Sequence, residues 1–248
     1  MKVRIFADAA RASRAVARLV ARQLEVKPAS VLGLPTGRTS VAVYKELVRL
    51  GPDFSRARTF NLDEFVGLPG QNRRSFRAFM DRNLLCRVNI PAGHVHFLDG
   101  AANDVDAECA RFERAIAAAG GIDLLVLGIG ANGHIGFNEP GAALFARTHR
   151  ARLTAATRRA NAGLFAGQPS KVPREALSMG MGTILAARAI VLIATGRSKA
   201  RAITAMFSGR ITPSLPASFL QLHPDTTLVL DRAASRDLTV LANKYRLR

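Results

Sequence analysis

The glycine-rich stretch over residues 123–141, DLLVLGIGANGHIGFNEPG, carries two side chains suited by type and spacing to move a proton, His134 and Glu139. Histidine exchanges a proton near neutral pH, and a carboxylate five residues on can orient it and stabilise its charged form. The alternative is a histidine that only satisfies the backbone carbonyls of its loop. No second His or Cys stands at a ligand spacing from His134, so metal binding is the weaker reading. Asp63 and Glu64 are a second candidate, a carboxylate pair of which one member can face a crevice as a base. Their other reading is a turn residue and a helix-cap acid. A third candidate is the run Pro35-Thr36-Gly37-Arg38-Thr39-Ser40. Its consecutive N–H groups and hydroxyls at a helix start favour an anion such as a phosphate monoester. The run lacks the Gly-Lys-Ser/Thr ending of a nucleotide P-loop, and Thr39 or Ser40 can equally serve as a simple cap. Lys199, just past Thr195-Gly196-Arg197-Ser198, either places a point charge on the same phosphate or stands in solvent.

The elements that must position these groups follow from hydrophobic periodicity. Leu124 to Leu127 form an uninterrupted apolar run, as expected of a strand covered on both faces. The glycines after it let the backbone approach a ligand closely. Further strands are predicted at residues 3–6, 30–34, 58–61, 95–98, 190–194 and 227–230, with the run above extending over 124–128. Helices are predicted at 9–25, 41–50, 75–84, 105–119 and after Ser198. The alternation predicts an α/β fold, a three-layer α/β/α sandwich with a mostly parallel, Rossmann-like doubly wound sheet. The candidate groups each follow a different strand. Because parallel strands end on one edge, four segments converge on one crevice.

The 248 residues, 48% of them hydrophobic, suffice for one unit spanning 1–248, with no linker or repeat to divide it. Cys86 and Cys109 lack metal-ligand spacing and read as free thiols of a reducing compartment. The Arg-rich amino terminus superficially resembles a transit peptide, but residues 3–6 read as a strand feeding an amphipathic helix. Arg188 interrupts the best membrane-span candidate. We therefore expect a soluble, cytoplasmic protein. The formal charge of +18 comes mostly from arginines scattered over the whole length. Trp is absent and only Tyr44 and Tyr245 occur, so stacking platforms for single strands are poorly supplied. The charge implies a preference for small anionic ligands, with neither nucleic acid nor membrane as partner.

Seven ordered segments carry a resemblance: LGLPTGRTS at 32–40, FNLDEFVGLP at 60–69, SFRAFMDRNLL at 75–85, GIGANGHIGFNEPG at 128–141, TRRANAGLF at 157–165, VPREALSMGMGTIL at 172–185 and LQLHP at 220–224. With them the chain resembles the glucosamine-6-phosphate deaminases, also called glucosamine-6-phosphate isomerases, over nearly its whole length. The related 6-phosphogluconolactonases share the fold and a His loop, but the continuation Phe137-Asn138-Glu139-Pro140 favours the deaminases. Sugar-responsive repressors on this scaffold carry an added DNA-binding domain, which favours an enzyme here.

The resemblance implies conversion of glucosamine 6-phosphate and water to fructose 6-phosphate and ammonium, without metal or organic cofactor, by a monomer or homo-oligomer. It assigns Asp63 as the base that moves a proton between C2 and C1. It assigns His134 to ring opening, with Asn132 and Glu139 as partners. Phosphate recognition falls to the turn of Thr36, Gly37, Arg38 and Thr39, with Arg158 and Lys199. The alternative is a lactonase-like hydrolase or an isomerase of another aminosugar phosphate.

Departures from the pattern carry consequences. Asn132 stands where many deaminases have Asp; its amide oxygen can accept from an imidazole N–H but brings no charge, leaving the electrostatic support to Glu139. Arg38 replaces a small residue and Ser40 a proline, and the backbone donors survive both. Ala142, His149 and Ala151 stand where the allosteric deaminases bind their effector with a serine and two basic residues, which implies hyperbolic kinetics without activation. Residues 147–171, weakly periodic and containing Arg158, are expected to form a lid.

Overall fold

The computed structural model describes residues 1–238; the expected unit also includes 239–248, which lie outside the described residues. Seven parallel strands form the main sheet: β1 (Lys2–Phe6), β2 (Val31–Leu34), β3 (Arg58–Asn61), β5 (Val95–His96), β6 (Leu124–Leu127), β9 (Ala189–Ala194) and β10 (Thr226–Asp231). Their spatial order is β1-β10-β9-β6-β2-β3-β5. Around them lie α1 (Ala9–Val26), α2 (Arg38–Leu50), α3 (Phe76–Asn83), α4 (Val105–Ala118), α6 (Met181–Leu185) and α7 (Ala200–Met206).

Strand alternation builds the layers. In β6, Leu124 and Val126 pack with Val16, Val20, Tyr44 and Leu47 of α1 and α2, whereas Leu125 and Leu127 pack with Phe112 and Ile116 of α4. Ile190 and Leu192 of β9 join the second group, and Val191 and Ile193 the first. Both faces are thus buried, as a parallel sheet requires. Capping fixes the helix starts where side chains permit it: Asp8, Ser75 and Asp104 accept from Arg11 N at 2.7 Å, Ala78 N at 3.0 Å and Ala107 N at 2.9 Å.

From β2 the chain steps outward through β3 to β5, then α4 returns it to β6 on the other side of β2. It continues outward through β9 and β10. The direction reverses between β2 and β6, the place where open α/β sheets bind ligands. A Cβ on Gly33 of β2 would lie 2.2 Å from Leu125 Cδ1 of β6, so the strands at this reversal pack too closely for a side chain.

A second sheet, absent from the sequence expectations, is antiparallel: β4 (Asp63–Phe65), β8 (Glu175–Ser178) and β7 (His149–Arg152), in that order. Asp63 pairs with Ser178 across it. Phe65, Phe76, Phe137, Leu153 and Phe165 form the apolar cluster beneath. The expected lid region is partly structured, holding β7 and α5 (Ala155–Asn161).

Glu64, buried in β4, accepts from the N–H groups of Phe65 and Phe76 at 2.9 Å and of Arg77 at 3.0 Å. Burial pushes its carboxyl up, and these three donors pull it back. It therefore ties β4 to the start of α3, the structural role open to one member of the Asp-Glu pair. Glu64→Ala strands those donors and is expected to cost about 2–4 kcal/mol of stability, measured by denaturant unfolding.

Candidate active site

The helix start at the reversal carries no side-chain cap. Gly37 is the N-cap of α2, with φ at +116°, a conformation that only glycine adopts easily. α2 begins three residues earlier than the sequence predicts, and neither Thr39 nor Ser40 caps it. The Ser40 hydroxyl donates to the Gly37 carbonyl at 2.7 Å and so lies inside the first turn. The leading N–H groups of α2 therefore remain open at the positive end of the helix dipole. Thr36 and Thr39 are half-buried beside them, while Gly37 and Arg38 are exposed.

Lys199 follows β9 on a turn whose Gly196 N–H donates to both carboxylate oxygens of Asp231, at 3.1 and 3.0 Å. Burial, and then the charge of Arg38, push the Lys199 ammonium down. Lys199 therefore stands close enough to Arg38, the first residue of α2, to sense its charge. Arg158 is not joined to them. Its guanidinium donates to the carbonyls of Val172, Pro169 and Ser170 at 3.0–3.2 Å and lines a hollow of about 370 Å³ with Arg159 and Arg174.

Asp63 begins β4, immediately past the carboxyl end of β3. Its side chain is buried, and Oδ1 has no partner among the described residues. Burial, followed by the adjoining charge of Glu64, pushes its carboxyl up to about 8. The Tyr44 hydroxyl donates to the Pro35 carbonyl under the turn, and the charge of Asp63 raises its proton affinity further after burial. Tyr44 is thus bonded to the turn before α2 and close enough to Asp63 to sense its charge.

The histidine loop is fastened to the same place. Ser178, opposite Asp63, accepts the Phe137 N–H at 2.9 Å, and Asn138 Nδ2 donates to the carbonyls of Ile135 and Met179 at 2.9 and 2.8 Å. A Cβ on Gly136 would stand 2.9 Å from Ser178 Oγ and 3.8 Å from Asp63 Oδ2, which measures how closely loop and base approach. His134 is half-buried with Nδ1 3.5 Å from Glu139 Oε2, an ion-pair distance without a formed hydrogen bond. Glu139 also accepts from Asn132 Nδ2 at 2.9 Å and from the Thr157 and Thr154 hydroxyls. Burial opposes its charge, but His134, Thr157 and Asn132 outweigh it and hold the carboxyl at about 2.

Asn132 differs from the sequence expectation. Its amide oxygen accepts the His134 backbone N–H at 3.3 Å, not an imidazole N–H, because its amide nitrogen is directed at the Glu139 carboxylate. Ser178, Tyr44, Thr157 and Asp231 were not singled out from the sequence. Ser178 and Thr157 fall within the segments VPREALSMGMGTIL and TRRANAGLF, which carry the signal, whereas single hydroxyls and a strand-end Asp have no distinguishing spacing. Among the described residues no group of His, Cys, Asp and Glu forms a metal site, and both cysteines are free.

The assembled groups can bind a phosphate monoester at one end and move protons at carbon and oxygen at the other. Comparison with known proteins shows the family to which the chain belongs. The pattern described as "Glucosamine-6-phosphate isomerases/6-phosphogluconolactonase" matches residues 7–229. The chain is 48% identical to a glucosamine-6-phosphate deaminase of Alkaliphilus oremlandii, over 90% of this chain and 94% of that one. A solved monomeric glucosamine-6-phosphate deaminase superposes with a TM-score of 0.92 at 38% identity, covering 95% of this chain and 99% of that one. The 6-phosphogluconolactonase of Trypanosoma cruzi, at 19% identity and a TM-score of 0.77 over 96% and 97% of the two chains, shares the fold.

Two outcomes test the geometry. A Cβ on Gly130 would fall 2.4–2.6 Å from three atoms of the His134 ring. Gly130→Ala is therefore expected to displace the imidazole and lower turnover about 100-fold, with unfolding temperature nearly unchanged. The second concerns Asp63, whose carboxyl rises from 3.8 to about 8 on folding. The folded state then holds this proton more tightly than the unfolded chain. Its contribution is full below about pH 4 and is lost as pH rises toward about 8. Asp63→Asn removes that loss, so its unfolding temperature is expected to exceed that of the wild type by several degrees at pH 8, the gap closing near pH 4.

Proposed function

Since the chain belongs to the family of glucosamine-6-phosphate isomerases and 6-phosphogluconolactonases, we propose that it converts glucosamine 6-phosphate and water to fructose 6-phosphate and ammonium. The observation that carries this reading is a buried carboxylate with an unpartnered oxygen, Asp63, which the loop holding the His134–Glu139 pair approaches at Gly136, on a sheet edge that also carries the uncapped start of α2.

The phosphate lies on the first N–H groups of α2 at Gly37, Arg38 and Thr39, beside Thr36, with Lys199 supplying charge. Arg158 reaches it by exchanging the carbonyls of residues 169–172 for phosphate oxygens, which requires movement of the segment around α5. His134 opens the pyranose: the C1–O5 bond breaks, O5 gains a proton, and the C1 hydroxyl loses one to become an aldehyde. Glu139, ionised throughout the working range, steadies the imidazole while it carries charge, and Asn132 holds Glu139 in place. Asp63 removes the C2 proton and returns it to C1, while the aldehyde oxygen takes the proton that the C2 ammonium gives up, leaving a hydroxyl at C1 and an iminium at C2. Water adds to C2 and ammonia departs, taking a proton to become ammonium. The C2 ammonium of the incoming substrate stabilises ionised Asp63, so a carboxyl that is protonated in the free site becomes a base of useful strength.

Ala142, His149 and Ala151 supply no effector site, so the enzyme is non-allosteric and acts in cytoplasmic aminosugar breakdown. No helix among the described residues is long and apolar enough to cross a membrane. Incubation with glucosamine 6-phosphate is expected to yield ammonium and fructose 6-phosphate in equal amounts. Rate against substrate is hyperbolic and unchanged by N-acetylglucosamine 6-phosphate. Lactone hydrolysis without ammonium overturns the activity, and a sigmoidal curve relieved by that effector overturns the regulatory reading.

A further inference from the structure

The mechanism leaves one buried polar side chain without a task. Asn61 ends β3, two residues before Asp63, and is 2% exposed. Its amide nitrogen Nδ2 has no hydrogen-bond partner among the described residues, and neither has Asp63 Oδ1. An unpaired buried amide donor costs about 1–3 kcal/mol, and an unpaired buried carboxylate oxygen costs more once it is charged.

The two atoms are brought near each other at the junction of the two sheets. Phe60 enters the core cluster on the α4 face, so Asn61 takes the opposite face of β3. Asp63 follows after the single residue Leu62, and its charge acts on Tyr44 of that opposite face. Asn61 pairs with Leu34 of β2, whose side chain packs with Tyr44 on that same face. Residues two apart in the chain stand no more than about 7 Å apart at Cα, within reach of each other's side chains. Both orphan atoms have essentially no exposed surface, so a sugar phosphate entering the crevice does not reach them; a rotation of either side chain does.

We infer that Asn61 is the positioning residue of the base: its side-chain amide closes onto Asp63 Oδ1 when that carboxylate ionises. Oδ2, the oxygen nearer the histidine loop at Gly136, is then left to take the substrate proton. A donor held in reserve lowers the cost of ionising a buried carboxylate without placing a cation beside it, which would weaken the base. The titratable groups facing Asp63 are Glu64 on its own strand and Tyr44 from α2. From β8 and the histidine loop it faces Ser178 and Gly136, neither of which titrates in the working range.

The inference rests on the deaminase reading, and kcat/KM followed from pH 5.5 to 10 in wild type and Asn61→Leu separates the two. In Asn61→Leu the rising limb is expected to move about one pH unit toward alkali. The rate at pH 6.5 then falls about tenfold, and the two profiles converge in the alkaline plateau. The infrared carboxyl band of Asp63, identified by its absence in Asp63→Asn, shifts its midpoint in the same direction. Inorganic phosphate binds both proteins equally. Superimposable profiles, or a loss equal at every pH, overturn the role of Asn61. Should Asn61→Leu fail to fold, Asn61→Ser, which keeps a shorter donor, is expected to show a smaller shift of the same sign, and no shift contradicts the inference. A wild type that releases no ammonium overturns the deaminase reading instead.

Discussion

Taking a carboxylate out of water without a partner is among the costliest things a fold can do, and the crevice is organised around doing it to Asp63. The carboxyl stays protonated in the free site because burial and Glu64 both disfavour its charge. Its neighbours are fixed by other means. Glu64 is spent on the start of α3, Ser178 on the Phe137 N–H, and Tyr44 on the Pro35 carbonyl. The Ser178 hydroxyl in turn donates to the Met179 carbonyl at 3.3 Å, so neither it nor the Tyr44 hydroxyl is given to Asp63. Beside these neighbours the side-chain amide nitrogen of Asn61 is left without a partner among the described residues, and it is the donor held for the ionised carboxylate.

Glu139 shows the opposite treatment of the same functional group. It is also largely buried, yet it receives an amide and two hydroxyls and faces an imidazole, so its charge is retained down to about pH 2. Two carboxylates held by one loop-and-sheet junction thus have proton affinities several pH units apart. That separation suits the division of labour proposed above, in which one carboxylate takes and returns a proton at carbon while the other keeps its charge and supports a histidine. The fold alone does not decide this, since phosphogluconolactonases share it. The side chains at the strand ends do.

The parallel sheet was legible because its strands are short, apolar and separated by helix-period segments. All seven predicted strands appear, with ends displaced by at most two residues and β3 at its predicted bounds. The small antiparallel sheet was not, because β4 has three residues and β7 reads His-Arg-Ala-Arg, with no alternation to betray a strand. Its stability comes from the phenylalanine cluster beneath it, drawn from four distant segments. The start of α2 was misplaced for a related reason. Thr39 and Ser40 are good capping residues in isolation, but Gly37, with its positive φ, turns the chain earlier and leaves the N–H groups open. The candidate groups Asp63, His134, Glu139 and Lys199 could be named from residue type and position after a strand. What Asn132 does, and where the Arg158 guanidinium lies, depend on which acceptors surround them, and that information is spread over contacts far apart in the chain.

The most direct test of the account is a crystal structure with the open-chain analogue 2-amino-2-deoxyglucitol 6-phosphate bound. The account predicts phosphate oxygens within about 3 Å of the N–H groups opening α2 and of Lys199 Nζ, with C2 against the Asp63 carboxylate and O5 toward His134. A phosphate seated in the hollow of Arg158, Arg159 and Arg174, with Asp63 turned from C2, would contradict it.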